Sequence, residues 1–196
     1  MADSLAPDEV QPLLRGRFGH TYRYVERCPS TQRLLQPEDE EGTVAVAEQQ
    51  TEGRGRLGRS WHAPARTSVL VSILLRPQVA PPRLPELSLV AGEAVAGAIA
   101  EVTGLEPTIK LPNDVLLGGR KVAGILAEAS EGSVVLGIGL NANQTREELP
   151  AETQTEPTSL LLELGRRVDR AVLLASVLTR LEGAYDRWVS RTAASG

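Results

Sequence analysis

Two long stretches of the chain carry hydrophobic residues at helical spacing. Over residues 84–103 and 168–189, apolar side chains recur at every third or fourth position. This spacing predicts helices that pack one face against a core. Shorter helices are expected at 30–36, where two consecutive hydroxyl residues can cap the first turn, and at 157–164.

The remaining apolar segments are short, and they predict strands bounded by turn residues. Hairpin turns are expected at Gly118-Gly119 and at Glu131-Gly132. The strands are expected at residues 19–27, 43–48, 68–75, 108–110, 114–117, 121–129 and 133–140. This order predicts an α+β fold, in which a central mixed, mostly antiparallel sheet has helices packed on one side.

The length of 196 residues fits one domain. Residues 1–17 contain several acidic residues and prolines and predict a flexible leader, too short for a winged-helix domain. The folded domain is expected over 18–190, followed by a tail at 191–196. We expect no signal peptide, and no apolar run in this sequence is long enough to span a membrane.

The charge and cysteine content narrow the classes of function. A net charge of −4 with 3% aromatic residues argues against a general nucleic-acid binder, so any anion site must be local. The single cysteine, Cys28, excludes an internal disulfide and suits the reducing cytoplasm. The sequence contains neither metal-ligand spacings of Cys and His nor a Walker phosphate loop.

A long loop at 51–66 interleaves glycines with arginines, among them Arg54, Arg56 and Arg59, and includes Trp61. Glycines let a backbone approach a ligand closely, and guanidinium groups match carboxylates and phosphates. The loop is therefore a candidate to close over an anion. A solvated flexible loop or an RNA-binding segment remains the alternative.

Lysine is rare in this chain: of 21 basic residues, 19 are arginines, and only Lys110 and Lys121 are lysines. Codon bias is one explanation; a need for compact ammonium groups at two sites is the favoured one. Lys110 precedes a turn in which Asn113 and Asp114 present polar groups, although such turns between strands are common.

Lys121 opens an otherwise apolar strand, and strict alternation would place it on one face with Ala123 and Ile125. It is expected either to snorkel at the sheet edge or to enter a pocket. Gly124 in this strand indicates close approach of another group. Asn141, at the end of the next strand, could read an adenine edge or simply begin a turn.

Taken in order, these segments resemble the biotin protein ligase family from about residue 20 to residue 190. The loop GRGRxGRxW and the PND turn followed by RKxAGIL are the specific pieces; the related lipoate ligases share the fold without this loop. The matching segments are Ser30-Thr31-Gln32, Glu48-Gln49-Gln50, 53–61, 110–114, 120–128 and 137–143.

The resemblance implies ATP-dependent biotinylation of a lysine on a biotin carboxyl carrier domain, through biotinyl-5'-AMP and with Mg²⁺ on the phosphates. It implies biotin contacts from Ser30, Thr31, Gln32, Gln50, Gly53, Arg54, Arg56, Lys121 and Gly124. It implies ATP contacts from Arg56, Arg59, Trp61, Lys110, Asn113, Lys121 and Asn141. Lys121, Arg54 and Arg56 are expected to stabilise charge at the α-phosphate, and Asp114 is a candidate to orient or deprotonate the acceptor lysine.

The chain departs from the family in three ways. Leu111 stands where the family usually has tryptophan, and Gln32 where asparagine is common. No C-terminal β-barrel and no N-terminal winged helix are expected, and therefore no DNA binding; a homodimer is an open alternative. The rival functions are a lipoate or octanoate ligase or transferase, and a biotin-binding module with impaired transfer.

Overall fold

The computed structural model describes residues 3–130, 132–151 and 153–193. Within these residues, seven strands form one sheet: β1 (Tyr22–Cys28), β2 (Val44–Gln50), β3 (Ser68–Leu75), β4 (Thr108–Lys110), β5 (Asp114–Leu117), β6 (Arg120–Ser130) and β7 (Ser133–Asn141). Their order is β1-β2-β3-β7-β6-β5-β4. Only the β1–β2 pair is parallel, and every other pair is antiparallel. This confirms the predicted mixed, mostly antiparallel sheet.

The centre of the sheet follows the apolar pattern closely. Strand β3 has the predicted bounds and is buried throughout. The turn between β5 and β6 uses Gly118 and Gly119, both at positive φ (55° and 79°), as a two-residue type I′ hairpin requires. In the next hairpin turn, Gly132 also has a positive φ of 80°, whereas Glu131 lies outside the described residues.

The described helices are α1 (Pro7–Val10), α2 (Leu87–Thr103), α3 (Leu160–Leu164) and α4 (Arg170–Ala193). Helices α2 and α4 pack against each other and share one apolar core with the sheet. Helix α2 begins later than predicted because the proline-rich stretch Pro81–Glu86 forms a 3₁₀ turn instead; the expected helix at 30–36 is likewise a 3₁₀ turn, Thr31–Leu34. In the described part of the chain, no helix has the length and apolar character needed to cross a membrane.

The N-terminal segment is packed, so the expectation of a flexible leader does not hold for residues 3–17. Leu5 and Val10 are fully buried, and the Asp3 carboxylate pairs with the buried guanidinium of Arg170 at 2.7 Å. Arg170 also pairs with the buried carboxylate of Glu48, again at 2.7 Å. At the other end, α4 continues into the expected tail as far as Ala193; residues 1–2 and 194–196 lie outside the described range.

Candidate functional site

A cavity of about 670 Å³ lies on the face of the sheet opposite α2. Ile125 on β6 packs beneath that helix, so its neighbour Gly124 faces the other side. Gly124 pairs across strands with Gly139, and Gly137 lies one alternation further along β7. Because these residues have no side chains, they form a floor on which the side chains of Trp61, Lys121 and Gln32 lie close to the strands.

A β-bulge places Lys121 over this floor. The register shifts by one residue between β5 and β6, leaving Val122 between the paired positions of Lys121 and Ala123. The Lys121 Nζ lies 3.2 Å from the point that a Cβ on Gly124 would occupy. Ala123 and Ile125 are in the core instead. The prediction that Lys121 shares a face with these two residues is therefore wrong, because the bulge interrupts the alternation.

Lys121 is fixed by its backbone as well as its side chain. Its Nζ lies 2.7 Å from Asp114 Oδ1, in a contact that is an ion pair and not an aligned hydrogen bond. The same ammonium lies 5.6 Å from the centroid of the Trp61 ring. Its backbone N–H donates to the carbonyl of Glu156, and its carbonyl accepts from the N–H of Thr158. The ammonium is thus held where β6, the loop at 51–66 and the segment containing Glu156 and Thr158 meet.

Gly53 joins the two sides of the glycine-arginine loop at 51–66 through a backbone hydrogen bond. Its carbonyl accepts from the Trp61 N–H at 2.8 Å, and a Cβ at this position would lie 2.3 Å from the Trp61 carbonyl oxygen. Gly53 therefore acts through the backbone, since only glycine allows this approach. The Trp61 indole lies across Gly124 and Gly139, and its buried Nε1 has no hydrogen-bond partner among the described residues.

The predicted ligand-binding arginines of the loop are held by protein partners. Arg54 makes a two-pronged contact with Glu128, at 2.6 and 3.0 Å. The Arg56 guanidinium donates to Asn113 Oδ1 at 3.4 Å. The amide of Asn113 is itself anchored, because its Nδ2 donates to the Ile125 carbonyl at 2.9 Å. Both guanidinium groups thus line the cavity in positions set by polar partners.

One end of the cavity is lined by neutral hydrogen-bonding groups. Gln50 Oε1 accepts from the Thr31 N–H at 2.7 Å and from the Thr31 hydroxyl at 3.0 Å. The Thr31 hydroxyl also lies 2.7 Å from that of Ser72. Ser30 and Gln32 complete this end, and the Gln32 amide donates to the Leu126 carbonyl at 3.5 Å.

Ser72 was missed at the sequence level. It is the one hydroxyl residue within the apolar run 69–75 of β3, and this interruption was the available signal. Its fully buried hydroxyl lines the cavity.

A second element that the sequence did not reveal is the segment at 150–157. Pro150, Thr153, Gln154, Thr155 and Pro157 all line the cavity. Arg59 donates to Gln154 Oε1 at 2.9 Å, and Lys110 Nζ donates to the Thr155 hydroxyl at 2.9 Å. This segment, of which Glu152 lies outside the described residues, forms a wall that binds two of the predicted ATP-contacting side chains.

Asn141 supports this side of the cavity with both halves of its amide. Its Nδ2 donates to the Thr158 carbonyl at 3.0 Å, and its Oδ1 accepts from Gln144 Nε2 at 2.9 Å. One amide hydrogen and one lone pair are left for a ligand. Leu111, in contrast, projects towards solvent and is 69% exposed.

The cavity is locally basic within a chain of net negative charge. Arg54, Arg56, Arg59 and Lys121 line it, and Asp114 is the one acidic residue among the described lining residues. No group of three or more potential metal ligands occurs in the described part of the chain. A single carboxylate does not form a protein cage for Mg²⁺, but it suits an ion that arrives bound to phosphates. The arrangement can therefore bind an anion beside a neutral, hydrogen-bonding group.

Comparison with known proteins gives consistent matches. The model of the biotin/lipoate A/B protein ligase family matches residues 24–144. The chain is 41% identical over 150 residues to the bifunctional ligase/repressor BirA of Bacillus subtilis, covering 74% of this chain and 46% of that protein. It is 42% identical over 155 residues to the biotin–[acetyl-CoA-carboxylase] ligase of Mycobacterium tuberculosis, covering 76% and 56%. The chain thus spans about half the length of the curated relatives it matches.

The fold is also similar to solved structures. The biotin protein ligase from Aquifex aeolicus in complex with biotin and ATP superposes with a TM-score of 0.80 at 34% identity. That match covers 88% of this chain and 73% of the other. It confirms the predicted fold, a mixed sheet with helices.

Proposed function

This chain belongs to the biotin/lipoate A/B protein ligase family, and we propose that it biotinylates a lysine of a biotin carboxyl carrier domain using ATP. The observation that carries the proposal is the division of one cavity into two chemically different ends. The end around Thr31, Gln50 and Ser72 is neutral and rich in hydrogen-bonding groups, which suits a cyclic urea. The end around Lys121 and Arg56 is cationic, which suits a carboxylate and a phosphate.

The first step joins the biotin carboxylate to ATP. The carboxylate is ionised at neutral pH, so its oxygen attacks the α-phosphorus without a general base. The bond from that phosphorus to the bridging oxygen breaks, and pyrophosphate leaves. We propose that Lys121 and Arg56 offset the repulsion between these two negatively charged reactants and stabilise the charge that develops at the α-phosphate. We propose that Arg54 contributes after it exchanges Glu128 for the ligand.

We propose that the triphosphate of ATP lies along the wall at 150–157. Lys110 and Arg59 donate to this wall, while Trp61 and Asn141 line the adjoining part of the cavity. Magnesium on the phosphates would offset part of their charge. Of the described lining residues, only Asp114 offers it a carboxylate.

The second step transfers biotin to the amine of the acceptor lysine, releasing AMP. That amine must lose a proton, since its ordinary pKa is ~10.4. We propose that Asp114, at 2.7 Å from Lys121 Nζ, orients or deprotonates the acceptor. Asp114→Ala should then slow transfer from preformed biotinyl-adenylate more than it slows adenylate formation. Equal rates of transfer in the variant and the parent protein would exclude this role.

Pyrophosphate release tests the proposal directly. The protein is mixed with ATP and either biotin or lipoate, and a carrier domain is added to follow labelled biotin. We expect pyrophosphate release with biotin and incorporation of label into the carrier. Release with lipoate alone would assign the chain to the rival ligase class, and biotin binding without release would leave a binding module.

The proposed location is the cytoplasm, where carrier domains and ATP are available. Cys28 is buried, and its burial raises the pKa of the thiol. A free, weakly reactive thiol is consistent with a reducing compartment.

A further inference from the structure

We infer that Ser72 is a positioning residue that reinforces the direction of hydrogen bonding at the neutral end of the cavity, and thereby its preference for a urea oxygen. This inference rests on the proposed function, because it concerns how the biotin ring is recognised. Ser72 is fully buried on β3 and pairs across the sheet with Gly137. The absence of a side chain on Gly137 leaves the Ser72 hydroxyl facing the cavity.

The direction of each hydrogen bond follows from the donors available. A backbone N–H can only donate, so the Gln50 amide atom that lies 2.7 Å from the Thr31 N–H must be the oxygen. The Thr31 hydroxyl, 3.0 Å from the same oxygen, donates to it as well. A hydroxyl has one hydrogen, so Thr31 has none left for Ser72. Ser72 must then donate to Thr31 across their 2.7 Å contact.

This chain of donors fixes the side-chain amide of Gln50. Its oxygen is held by two hydrogen bonds from Thr31, so its NH₂ group is turned away from Thr31. Gln50 lines the cavity, and its NH₂ can therefore donate to a ligand. Ser72 acts on the second of these bonds: without its hydrogen, the Thr31 hydroxyl is free to rotate away from Gln50, and the Gln50 oxygen keeps only the hydrogen bond from the Thr31 N–H.

The ligand group that fits the Gln50 NH₂ is a neutral acceptor. The side chains at this end, Ser30, Thr31, Gln32, Gln50 and Ser72, are all uncharged, so a carboxylate would bind better beside Lys121 and Arg56. The urea of biotin has one carbonyl oxygen that accepts hydrogen bonds. An analogue with a hydrogen-bearing nitrogen in place of that oxygen would meet a donor with a donor, which leaves polar groups unpaired.

The test compares the dissociation constants of biotin and 2-iminobiotin by calorimetry in the parent protein and in Ser72→Ala. We expect Ser72→Ala to bind biotin ~3- to 10-fold more weakly, in line with the loss of one hydrogen bond in a chain. Binding of 2-iminobiotin should change less, so that the ratio between the two ligands falls. The KM for ATP should stay unchanged.

Ser68→Ala is the matched control. Ser68 is also a fully buried serine of β3, and its hydroxyl accepts a hydrogen bond from Gln144 at 2.5 Å. It should lose comparable stability and keep the ratio between biotin and 2-iminobiotin.

Two results would overturn the inference alone: unchanged biotin binding in Ser72→Ala, or equal weakening of both ligands. A parent protein that binds no biotin would overturn the proposed function, and this inference with it.

Discussion

The indole of Trp61 rests on Gly139, and the replacement Gly139→Ala tests whether that contact shapes the cavity. A Cβ at Gly139 would lie 2.5, 2.8 and 2.9 Å from three indole atoms. Gly139 does not have a positive φ, so the backbone itself accepts alanine. The strain therefore falls on Trp61, which must move.

The size of the effect follows from these distances. Carbon atoms reach ordinary contact at about 3.5 Å, so the nearest indole atom must retreat by roughly 1 Å. Overpacking of this kind costs about 1–3 kcal/mol, and the reduced freedom of the unfolded chain offsets about 0.4–1 kcal/mol of it. Because we propose that Trp61 borders the nucleotide, the KM for ATP should rise ~10-fold, which corresponds to about 1.4 kcal/mol.

Tryptophan fluorescence reports the displacement separately from activity. The chain has two tryptophans, so Trp188→Phe leaves Trp61 as the sole tryptophan, which can be excited selectively over the tyrosines. In that background, Gly139→Ala should change the emission maximum of the folded protein and raise the KM for ATP. Gly137→Ala is the control, because the three atoms nearest to its Cβ would all belong to the Gln32 side chain, at 3.4–3.5 Å, and it should leave Trp61 emission unchanged. Unaltered emission and an unaltered KM for ATP in Gly139→Ala would refute the reasoning.

Three further substitutions address charged groups. Lys121→Ala should slow pyrophosphate release ~100-fold by removing a donor to the transition state; a near-normal rate would contradict this role. Glu128→Gln should lower the KM for biotin by ~2- to 5-fold, since the half-exposed ion pair that holds Arg54 contributes at most about 1 kcal/mol; a higher KM would mean that Glu128 positions Arg54 for the ligand. Arg170→Met strands the fully buried Glu48 carboxylate, so urea unfolding should show a loss of about 3–5 kcal/mol, partly recovered by adding Glu48→Gln; an unchanged midpoint would contradict the pairing.

Local periodicity was enough to predict most of the framework. The bounds of β3 and the Gly118-Gly119 turn follow from patterns within a few residues, because a buried strand and a type I′ turn each have a local sequence requirement. The glycines of the floor were also visible as glycines within strands. That Trp61 packs on these glycines could not be predicted, because its contact with Gly139 depends on how a distant loop folds back.

The remaining features depend on tertiary contacts that no local pattern encodes. The bulge at Val122, which moves Lys121 onto the face of Gly124, is a property of the pairing between β5 and β6. The wall at 150–157 has no apolar period, and it is ordered by bonds to Arg59 and Lys110. Its involvement could be inferred only once these distant residues were brought together.

The buried cation of Arg170 has a consequence for the timing of synthesis. Its partner Glu48 lies 122 positions earlier in the chain, and its other partner, Asp3, lies 167 positions earlier. At a translation rate of roughly 5–20 residues per second, about 6–24 s separate the two ends of the Glu48 pair. Until then, the nascent chain must keep that carboxylate hydrated. Strand β2 and the N-terminal segment can therefore complete these ion pairs only after Arg170, at the start of α4, has left the ribosome.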